Sequence, residues 1–206
     1  MRINRLIVMV SGGGTNLQAL IDACELGTIP AIIAGVISSS KDAYALTRAK
    51  NAGIPTIVLS KKHFDSVQAH EQAVIEAIES FEGQAVVLAG YMSILGSNIV
   101  NRFSIINVHP ALIPSFCGKG YYGRYVHQAV LDYGAKLSGA TVHFVDEGTD
   151  TGPIIMQKSV PVQQDDTAET LAARVLTVEH EILVKSVSLL CEGRLTLYGR
   201  TVIIND

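Results

Sequence analysis

Short apolar runs alternate along the first half of the chain with segments that carry apolar residues at helical spacing. The apolar runs are rich in β-branched residues and show no polar face, which is typical of parallel strands covered on both sides. The sequence predicts five such strands, at residues 6–11, 31–38, 56–59, 85–89 and 105–108. The segments between them predict helices at residues 16–24, 43–51, 66–81 and 97–102. This alternating order predicts a Rossmann-like, mostly parallel sheet with helices on both faces.

The pattern changes after Pro114, where a loop rich in glycine and tyrosine begins. The sequence then predicts a helix at residues 126–133, strands at 140–145 and 154–162, a long helix at 167–191, and a hairpin or edge strand at 195–204. Asp165, Asp166 and Thr167 are candidates to cap the long helix. We expect the later strands to extend the sheet with some antiparallel pairing.

Composition adds limits on the class of protein. The 206 residues are 48% hydrophobic and 17% charged, which fits one α/β domain over residues 1–206, with halves at 1–110 and 111–206. The net charge of −3 gives no basic stripe, so we expect no nucleic-acid partner. Three cysteines without a C-x-x-C pair indicate neither a disulfide framework nor a zinc site, and favour a cytoplasmic location. Residues 6–11 are too short an apolar run for a signal peptide or a membrane span.

A glycine turn, S-G-G-G-T-N at residues 11–16, joins the first strand to the first helix. Such a turn offers backbone N–H groups and the positive end of a helix to an anion. It has neither the G-x-G-x-x-G spacing of a dinucleotide site nor the G-K-[ST] of a Walker loop. A single phosphate therefore fits better than a dinucleotide, although a tight turn without a ligand explains the residues equally well.

Polar residues also end the strand near residue 108. Asn107 and His109 are two residues apart, so both point to the same face at the carboxyl end of the strand, where ligands gather in open α/β sheets. An amide and an imidazole there can stabilise an oxyanion and move a proton. The alternative is a histidine satisfied in the core beside an asparagine that caps a turn.

An acidic loop follows the strand at 140–145. A carboxylate near a strand end can orient an imidazole and raise its pKa. A solvated acidic turn explains Asp146 and Glu147 better than Asp150, which lies next to the bend formed by Gly152 and Pro153.

Four motifs together resemble one family, the glycinamide ribonucleotide formyltransferases. They are S-G-x-G-T-N at 11–16, A-G-Y-M-x-I-L at 89–95, I-N-V-H-P-A-L-I-P at 106–114 and G-A-T-V-H-F-V-D-E-G-x-D-x-G-P-I at 139–154. Each motif alone is weak, but four in this order are a specific signal that covers nearly the whole chain. The resemblance implies formyl transfer from 10-formyltetrahydrofolate to the amine of glycinamide ribonucleotide, in de novo purine biosynthesis and without a metal.

The resemblance also assigns roles to particular residues. It implies that Asn107, His109 and Asp150 are catalytic, with a protonated His109 held charged by Asp150. It implies that the substrate phosphate and ribose are bound by Gly13, Gly14, Thr15, Asn16 and Glu179. It implies that the folate is bound by Met92, Ser93, Ile94, Leu95, Val100, Asn107, Asp146, Glu147 and Gly148. Ordinary core packing remains the alternative for Met92 and Val100.

Three positions depart from the pattern of the family. Val67 and Ser93 stand where basic residues are common, and Leu176 stands where a polar residue is common. A lysine at 61, 62 or 119 could replace the lost charge. The loop at 117–123 is either a mobile lid or a plain surface loop.

Other functions stay open at this point. A methionyl-tRNA or sugar formyltransferase would share the catalytic residues, but the former carries a basic C-terminal domain that we do not expect in this chain. A formyl-folate hydrolase would carry an additional N-terminal domain. A nucleotide-binding oxidoreductase would need a dinucleotide fingerprint and an acidic residue after the second strand, where residues 37–40 offer none. The sequence leaves monomer and homodimer both open.

Overall fold

The structure is a computed structural model that describes residues 2–205, so the two terminal residues of the expected 1–206 domain lie outside the described residues. The strands are β1 (Arg5–Val10), β2 (Ile32–Ser38), β3 (Thr56–Val58), β4 (Ala85–Leu88), β5 (Ser104–His109), β6 (Leu137–Phe144), β7 (Ile154–Pro161), β8 (Leu195–Tyr198) and β9 (Thr201–Ile204). The α-helices are α1 (Thr15–Glu25), α2 (Tyr44–Asn51), α3 (Val67–Ser80), α4 (Ser97–Val100), α5 (Arg124–Tyr133) and α6 (Ala168–Glu192), with a 3-10 turn at Lys61–His63.

Seven strands form one sheet in the order β3-β2-β1-β4-β5-β6-β7. Strands β1 to β5 pair with one another in parallel, and β6 and β7 are added in antiparallel pairing. Both parts of the predicted sheet are therefore confirmed. The strand order reverses between β1 and β4, and the carboxyl ends of strands at such a point are where open α/β sheets bind ligands.

The core lies on both faces of the sheet, and β1 shows why its sequence lacks a polar face. Leu6 and Val8 are fully buried in the cluster that contains residues of α1 and α6. Ile7 and Met9 are fully buried in the cluster that contains residues of α3. Because successive side chains of a strand point to opposite faces, a strand covered on both sides must be apolar throughout.

The prediction of a fully buried third strand at residues 56–59 was wrong, although Leu59 at its end is buried. Thr56 is exposed and Ile57 is 36% exposed. The strand β3 pairs only with β2 and so forms one edge of the sheet. Its β-branched sequence fits an edge strand as well as a central one, because β-branching favours the extended backbone and does not by itself report burial.

The C-terminal residues form a hairpin, as one of the two alternatives predicted. Strands β8 and β9 pair only with each other, in a separate two-stranded sheet. Arg200 at its turn donates a hydrogen bond of 2.8 Å to the carbonyl of Thr151. The hairpin therefore supports the loop that follows β6.

The long helix α6 begins at one of the three predicted caps. The Thr167 hydroxyl accepts from the Thr170 N–H, and the Thr170 hydroxyl accepts from the Thr167 N–H, which forms a reciprocal capping box. Asp166 binds Arg174 through both carboxylate oxygens. Among residues 2–205, no helix combines the length and the apolar character needed to cross a bilayer.

A buried histidine makes the stability of this fold depend on pH. His70 in α3 is 1% exposed, and its Nε2 lies 3.2 Å from the carbonyl of Leu59. Burial lowers the pKa of His70 below its ordinary value of 6.5, against the opposing effect of that carbonyl. A histidine with a lowered folded pKa stabilises the protein while it is neutral, and that stability is lost as the pH falls below the unfolded value.

We therefore expect the free energy of unfolding to decrease more steeply with acidification in the wild type than in His70→Gln. Glutamine can keep the bond to Leu59 but cannot titrate. The difference in slope has an upper limit of about 1.4 kcal/mol per pH unit for one proton. Urea unfolding between pH 7.5 and 5 measures it, and the exposed His63→Gln variant is the control. Equal slopes in the wild type and His70→Gln would contradict this expectation.

Candidate active site

Polar side chains from several parts of the chain meet at the carboxyl end of β5. Asn107 and His109 alternate along this strand and both reach Asp150, which lies on the loop after β6. The Asn107 amide nitrogen lies 3.5 Å from Asp150 Oδ1, and His109 Nδ1 lies 3.5 Å from Asp150 Oδ2. The structure thus brings together the three residues that the sequence singled out.

The Asp150 carboxylate is well paired for a group that is largely withdrawn from water. Its side chain is 11% exposed, and Oδ2 also accepts a hydrogen bond of 2.9 Å from the Gly118 N–H. Burial alone would raise the pKa of Asp150, but His143, His109 and the Gly118 N–H favour the carboxylate and lower the pKa below its ordinary value of 3.8. Asp150 is therefore ionised at neutral pH.

His109 has an acceptor near each ring nitrogen. Its Nε2 lies 2.9 Å from the carbonyl of Phe116, and its Nδ1 faces Asp150. A carbonyl can only accept, so Nε2 carries a hydrogen. The residue is 4% exposed, and this burial lowers the pKa of His109 below its ordinary value of 6.5, although Asp150 and the Phe116 carbonyl act in the opposite direction.

Both ring nitrogens of His109 therefore face oxygen acceptors. An imidazolium can donate to both of them, whereas a neutral ring can donate to only one. Burial opposes the charge, and Asp150 supports it. The arrangement can hold a positive charge on the ring and exchange a proton.

His143 is a fourth member of the cluster, and the sequence reasoning missed it. Its Nε2 lies 3.2 Å from the Asn107 amide nitrogen and 3.7 Å from Asp150 Oδ1, and its Nδ1 lies 2.8 Å from the carbonyl of Phe144. The feature that brings His143 to the site is the antiparallel pairing of β5 with β6, in which Asn107 is directly opposite His143. Without the register, these two residues could not be paired from the sequence alone.

The glycine turn leaves the first N–H groups of α1 free of a side-chain cap. Gly14 is the N-cap residue, with φ of 73°, and no side chain caps the helix. A Cβ at Gly14 would lie 2.6 Å from the Cβ of Ala45, so this position requires glycine both for its backbone and for the approach of α2. Arg48 on α2 donates a hydrogen bond of 2.9 Å to the Gly13 carbonyl, which fixes the turn. Thr15 is the first residue of the helix, so its N–H is among the free donors that can bind an anion.

Asn16 and Glu179 lie in contact although 163 residues separate them in the chain. The Asn16 amide donates a hydrogen bond of 2.9 Å to Glu179 Oε2, and each residue is 8% exposed. Burial raises the pKa of Glu179, against the opposing effect of the Asn16 amide. The Asn16 side-chain oxygen is buried without a partner. This pair therefore carries unused hydrogen-bonding capacity beside the glycine turn.

The segment after β4 presents apolar side chains beside this turn. Met92 is 54% exposed and Ile94 is 66% exposed, whereas Leu95 is buried and Val100 is partly buried against the core. Ser93 is of intermediate exposure. Core packing thus explains Leu95 and Val100 but not Met92 or Ile94.

Two hydrogen bonds fix this segment. The Met92 N–H donates to the hydroxyl of Ser11 at 2.8 Å, which ties the segment to the glycine turn. The ammonium of Lys61 donates to the carbonyl of Ile94 at 2.6 Å. Of the three lysines considered as replacements for lost charge, Lys61 is therefore in contact with the expected folate region.

The carboxylates of the acidic loop fall into two groups, as the sequence suggested. Asp146 accepts hydrogen bonds from the Gly148 N–H at 3.1 Å and the Thr151 hydroxyl at 2.5 Å, while Glu147 is exposed and accepts from Asn101 at 3.2 Å. Only Asp150 turns inward. Within the described residues, His, Cys, Asp and Glu side chains form no group of three or more that could hold a metal ion.

Comparisons with known proteins agree on one family. Residues 4–187 match the family model described as formyl transferase. The chain is 41% identical over 196 residues to the chloroplastic phosphoribosylglycinamide formyltransferase of Vigna unguiculata, covering 94% of this chain and 63% of that protein. It is 41% identical over 197 residues to the phosphoribosylglycinamide formyltransferase of Haemophilus influenzae, covering 95% of this chain and 91% of that protein. The crystal structure of glycinamide ribonucleotide transformylase 1 from Symbiobacterium toebii superposes with a TM-score of 0.94 at 41% identity, covering 99% of this chain and 95% of that one.

The buried Asn16–Glu179 pair generates a prediction about stability. Asn16→Leu removes the one amide that favours the Glu179 carboxylate, so we expect the pKa of Glu179 to rise further and the protein to lose about 1–3 kcal/mol at pH 8. A raised carboxyl pKa destabilises the fold at high pH, so the loss should shrink as the pH falls toward that pKa. Calorimetry at pH 8 and pH 5 measures both effects.

The matched control is Gln72→Leu, which removes an exposed amide that donates to Glu76 at the same distance of 2.9 Å. We expect that variant to change stability by less than about 0.5 kcal/mol at either pH. A pH-independent loss in Asn16→Leu would show that the pair does not influence the charge of Glu179.

Proposed function

The chain belongs to the formyl transferase family, and we propose that it transfers the formyl group of 10-formyltetrahydrofolate to the amine of glycinamide ribonucleotide, a step of de novo purine biosynthesis. The observation that carries this proposal is the convergence of Asn107, His109 and Asp150 at one sheet edge, in a chain whose relatives are named for that activity. The remaining features of the same edge support each part of the reaction.

The chemistry requires one C–N bond to form and another to break. The substrate amine attacks the formyl carbon, and the carbonyl electron pair moves onto oxygen. The Asn107 amide can donate a hydrogen bond to this oxyanion, and a protonated His109 beside Asp150 would offset its charge. When the bond to N10 of the folate breaks, the electron pair on oxygen restores the carbonyl.

A proton must also move from the amine to N10. The His109–Asp150 pair would accept it, directly or through a water, and pass it to N10 as the folate leaves. Asp150 and the Phe116 carbonyl stabilise the imidazolium of this pair. The pair therefore acts first as a base and then as an acid.

The glycine turn and the Asn16–Glu179 pair suit a phosphoribosyl group. The phosphate would accept hydrogen bonds from N–H groups at the start of α1, including those of Gly14, Thr15 and Asn16. The Glu179 carboxylate would accept from the ribose hydroxyls, which would supply partners for a buried charge.

The exposed apolar side chains of Met92 and Ile94 suit the flat pterin ring of the folate. The hydrogen bond from the Met92 N–H to the Ser11 hydroxyl supports a folate region beside the phosphate site. The backbone of the loop 146–148, which follows β6, would bind the polar edge of the pterin.

The direct test mixes the protein with 10-formyltetrahydrofolate and glycinamide ribonucleotide, follows the folate absorbance, and repeats the measurement without the ribonucleotide. Deformylation that requires the ribonucleotide supports the transferase. Deformylation without it would instead identify a formyl-folate hydrolase, and no deformylation would refute both functions.

We expect His109→Ala and Asp150→Asn each to lower kcat by about 10²- to 10⁴-fold, because each removes part of the proton transfer. Steady-state kinetics measure this, with circular dichroism to show that the variants fold. Asp132→Asn, an exposed carboxylate on α5, is the control and should retain wild-type turnover. Near-normal turnover in either site variant would contradict the assignment.

We expect Glu179→Ala to raise the KM for glycinamide ribonucleotide by about tenfold or more and to change the KM for the folate little, because in this proposal only the ribonucleotide would contact the carboxylate. Glu181→Ala, two residues along the same helix and exposed, should change neither. A larger effect on the folate KM would overturn the placement of the two substrates.

A further inference from the structure

A buried carboxylate on α3 lies against the end of the segment that carries Met92 and Ile94. Glu71 is 8% exposed, and the Asn98 amide donates a hydrogen bond of 3.0 Å to its Oε2. We propose that Glu71 is a positioning residue, which holds segment 92–96 in the conformation that binds the folate. This inference rests on the proposed function, because the folate is the ligand of that segment.

Glu71 lies on the apolar face of α3. Residues three, four and seven positions apart on a helix share one face, and Val74 and Ile78 on this face are fully buried. They belong to one core cluster with Leu95 of the segment and Ile99 of α4. A carboxylate in such a place costs free energy unless polar groups pair with it, whereas an apolar side chain would pack there without that cost. The role of Glu71 therefore lies in its contacts with residues 96–98.

The contact with Gly96 is as close as a glycine permits. A Cβ at Gly96 would overlap Glu71 Oε1. The backbone of Gly96 is extended, with φ of −84° and ψ of 166°, and any residue adopts such a conformation. Glycine is therefore required here for the space that the carboxylate occupies and not for its backbone angles.

Segment 92–96 is held at both ends. The Met92 N–H donates to the Ser11 hydroxyl at 2.8 Å, and at the other end Gly96 lies against Glu71. The exposed apolar side chains that suit the pterin are on the backbone between these contacts. A segment that is ordered before its ligand arrives loses less conformational entropy on binding, so the affinity for the ligand is higher. Glu71 acts on the folate through this backbone.

A purely structural role for Glu71 has different consequences. Loss of stability lowers the fraction of folded protein and leaves the binding properties of the folded molecules unchanged. Loss of positioning weakens the binding of the folate alone, because the proposed ribonucleotide site is formed by the glycine turn and Glu179. The KM values for the two substrates therefore separate the two roles.

The first experiment compares Glu71→Ala with Glu71→Gln. We expect Glu71→Ala to raise the KM for 10-formyltetrahydrofolate about tenfold and the KM for glycinamide ribonucleotide less than about twofold. Glutamine keeps an oxygen that can accept from Asn98, so Glu71→Gln should restore the folate KM to within about twofold of the wild type. Glu76→Ala, an exposed carboxylate on the same helix, is the control and should change neither KM. An equal rise of both KM values in Glu71→Ala, or none, would overturn the proposal.

A double-mutant cycle tests the contact with Gly96. In the wild type, Gly96→Ala must displace the carboxylate, so we expect the folate KM to rise about tenfold. In the Glu71→Ala background the overlapping oxygen is absent, and the same substitution should change the folate KM by less than about twofold. Equal effects of Gly96→Ala in both backgrounds would overturn the contact as the cause.

A third measurement does not depend on activity. Amide hydrogen exchange of the protein without ligand should be faster at residues 92–96 in Glu71→Ala than in the wild type or in Glu76→Ala. Unchanged exchange in Glu71→Ala would overturn the positioning role even if the protein transfers formyl groups. If the wild type transfers no formyl group, the proposed function fails, and faster exchange would still show that Glu71 holds the segment.

Discussion

The carboxylate of Asp150 contacts groups from three separate parts of the chain. Asn107 and His109 reach it from β5, His143 from β6, and Gly118 from the loop before α5. A charge that is 89% withdrawn from water is tolerated only with such partners. The positions of these groups, and the proton chemistry they support, therefore depend on where this one carboxylate is held.

The loop that carries Asp150 is held tightly by its own glycines. Asp150 itself has φ of 58°, which is uncommon for a residue with a side chain. A Cβ at Gly152 would lie 1.8 Å from the carbonyl of Phe144, so no other residue fits there. Arg200 binds the neighbouring Thr151 carbonyl from the C-terminal hairpin. Strain at a functional residue persists only where its surroundings fix the conformation, and this loop meets that condition.

Much of the fold could be predicted from the sequence because a strand that is buried on both faces must be apolar throughout. The apolar runs of β1 and β4 and the period-2 placement of Asn107 and His109 follow from strand geometry alone. The exposure of β3 could not be predicted, since an edge strand and a central strand share the same β-branched residues.

The missed parts of the site depend on contacts between distant residues. His143 joins the site because of the register of β5 with β6. Phe116 and Gly118 contact the site through backbone atoms, and their residue types do not indicate these contacts. The sequence also does not reveal that burial opposes the neighbouring carboxylate at His109, because this opposition depends on the packing. Glu179 was identified only by the resemblance to a family. It lies 163 residues from its partner Asn16, and no motif near it in the sequence marks it as a site residue.

The proposed reaction moves a formyl group from a folate to an amine at this site. The carbon itself can be followed by ¹³C NMR of a reaction that contains 10-[¹³C]formyltetrahydrofolate, glycinamide ribonucleotide and the protein. We expect the labelled carbon to appear as a formamide on the ribonucleotide. Label released as free formate, or retained on the folate, would contradict it.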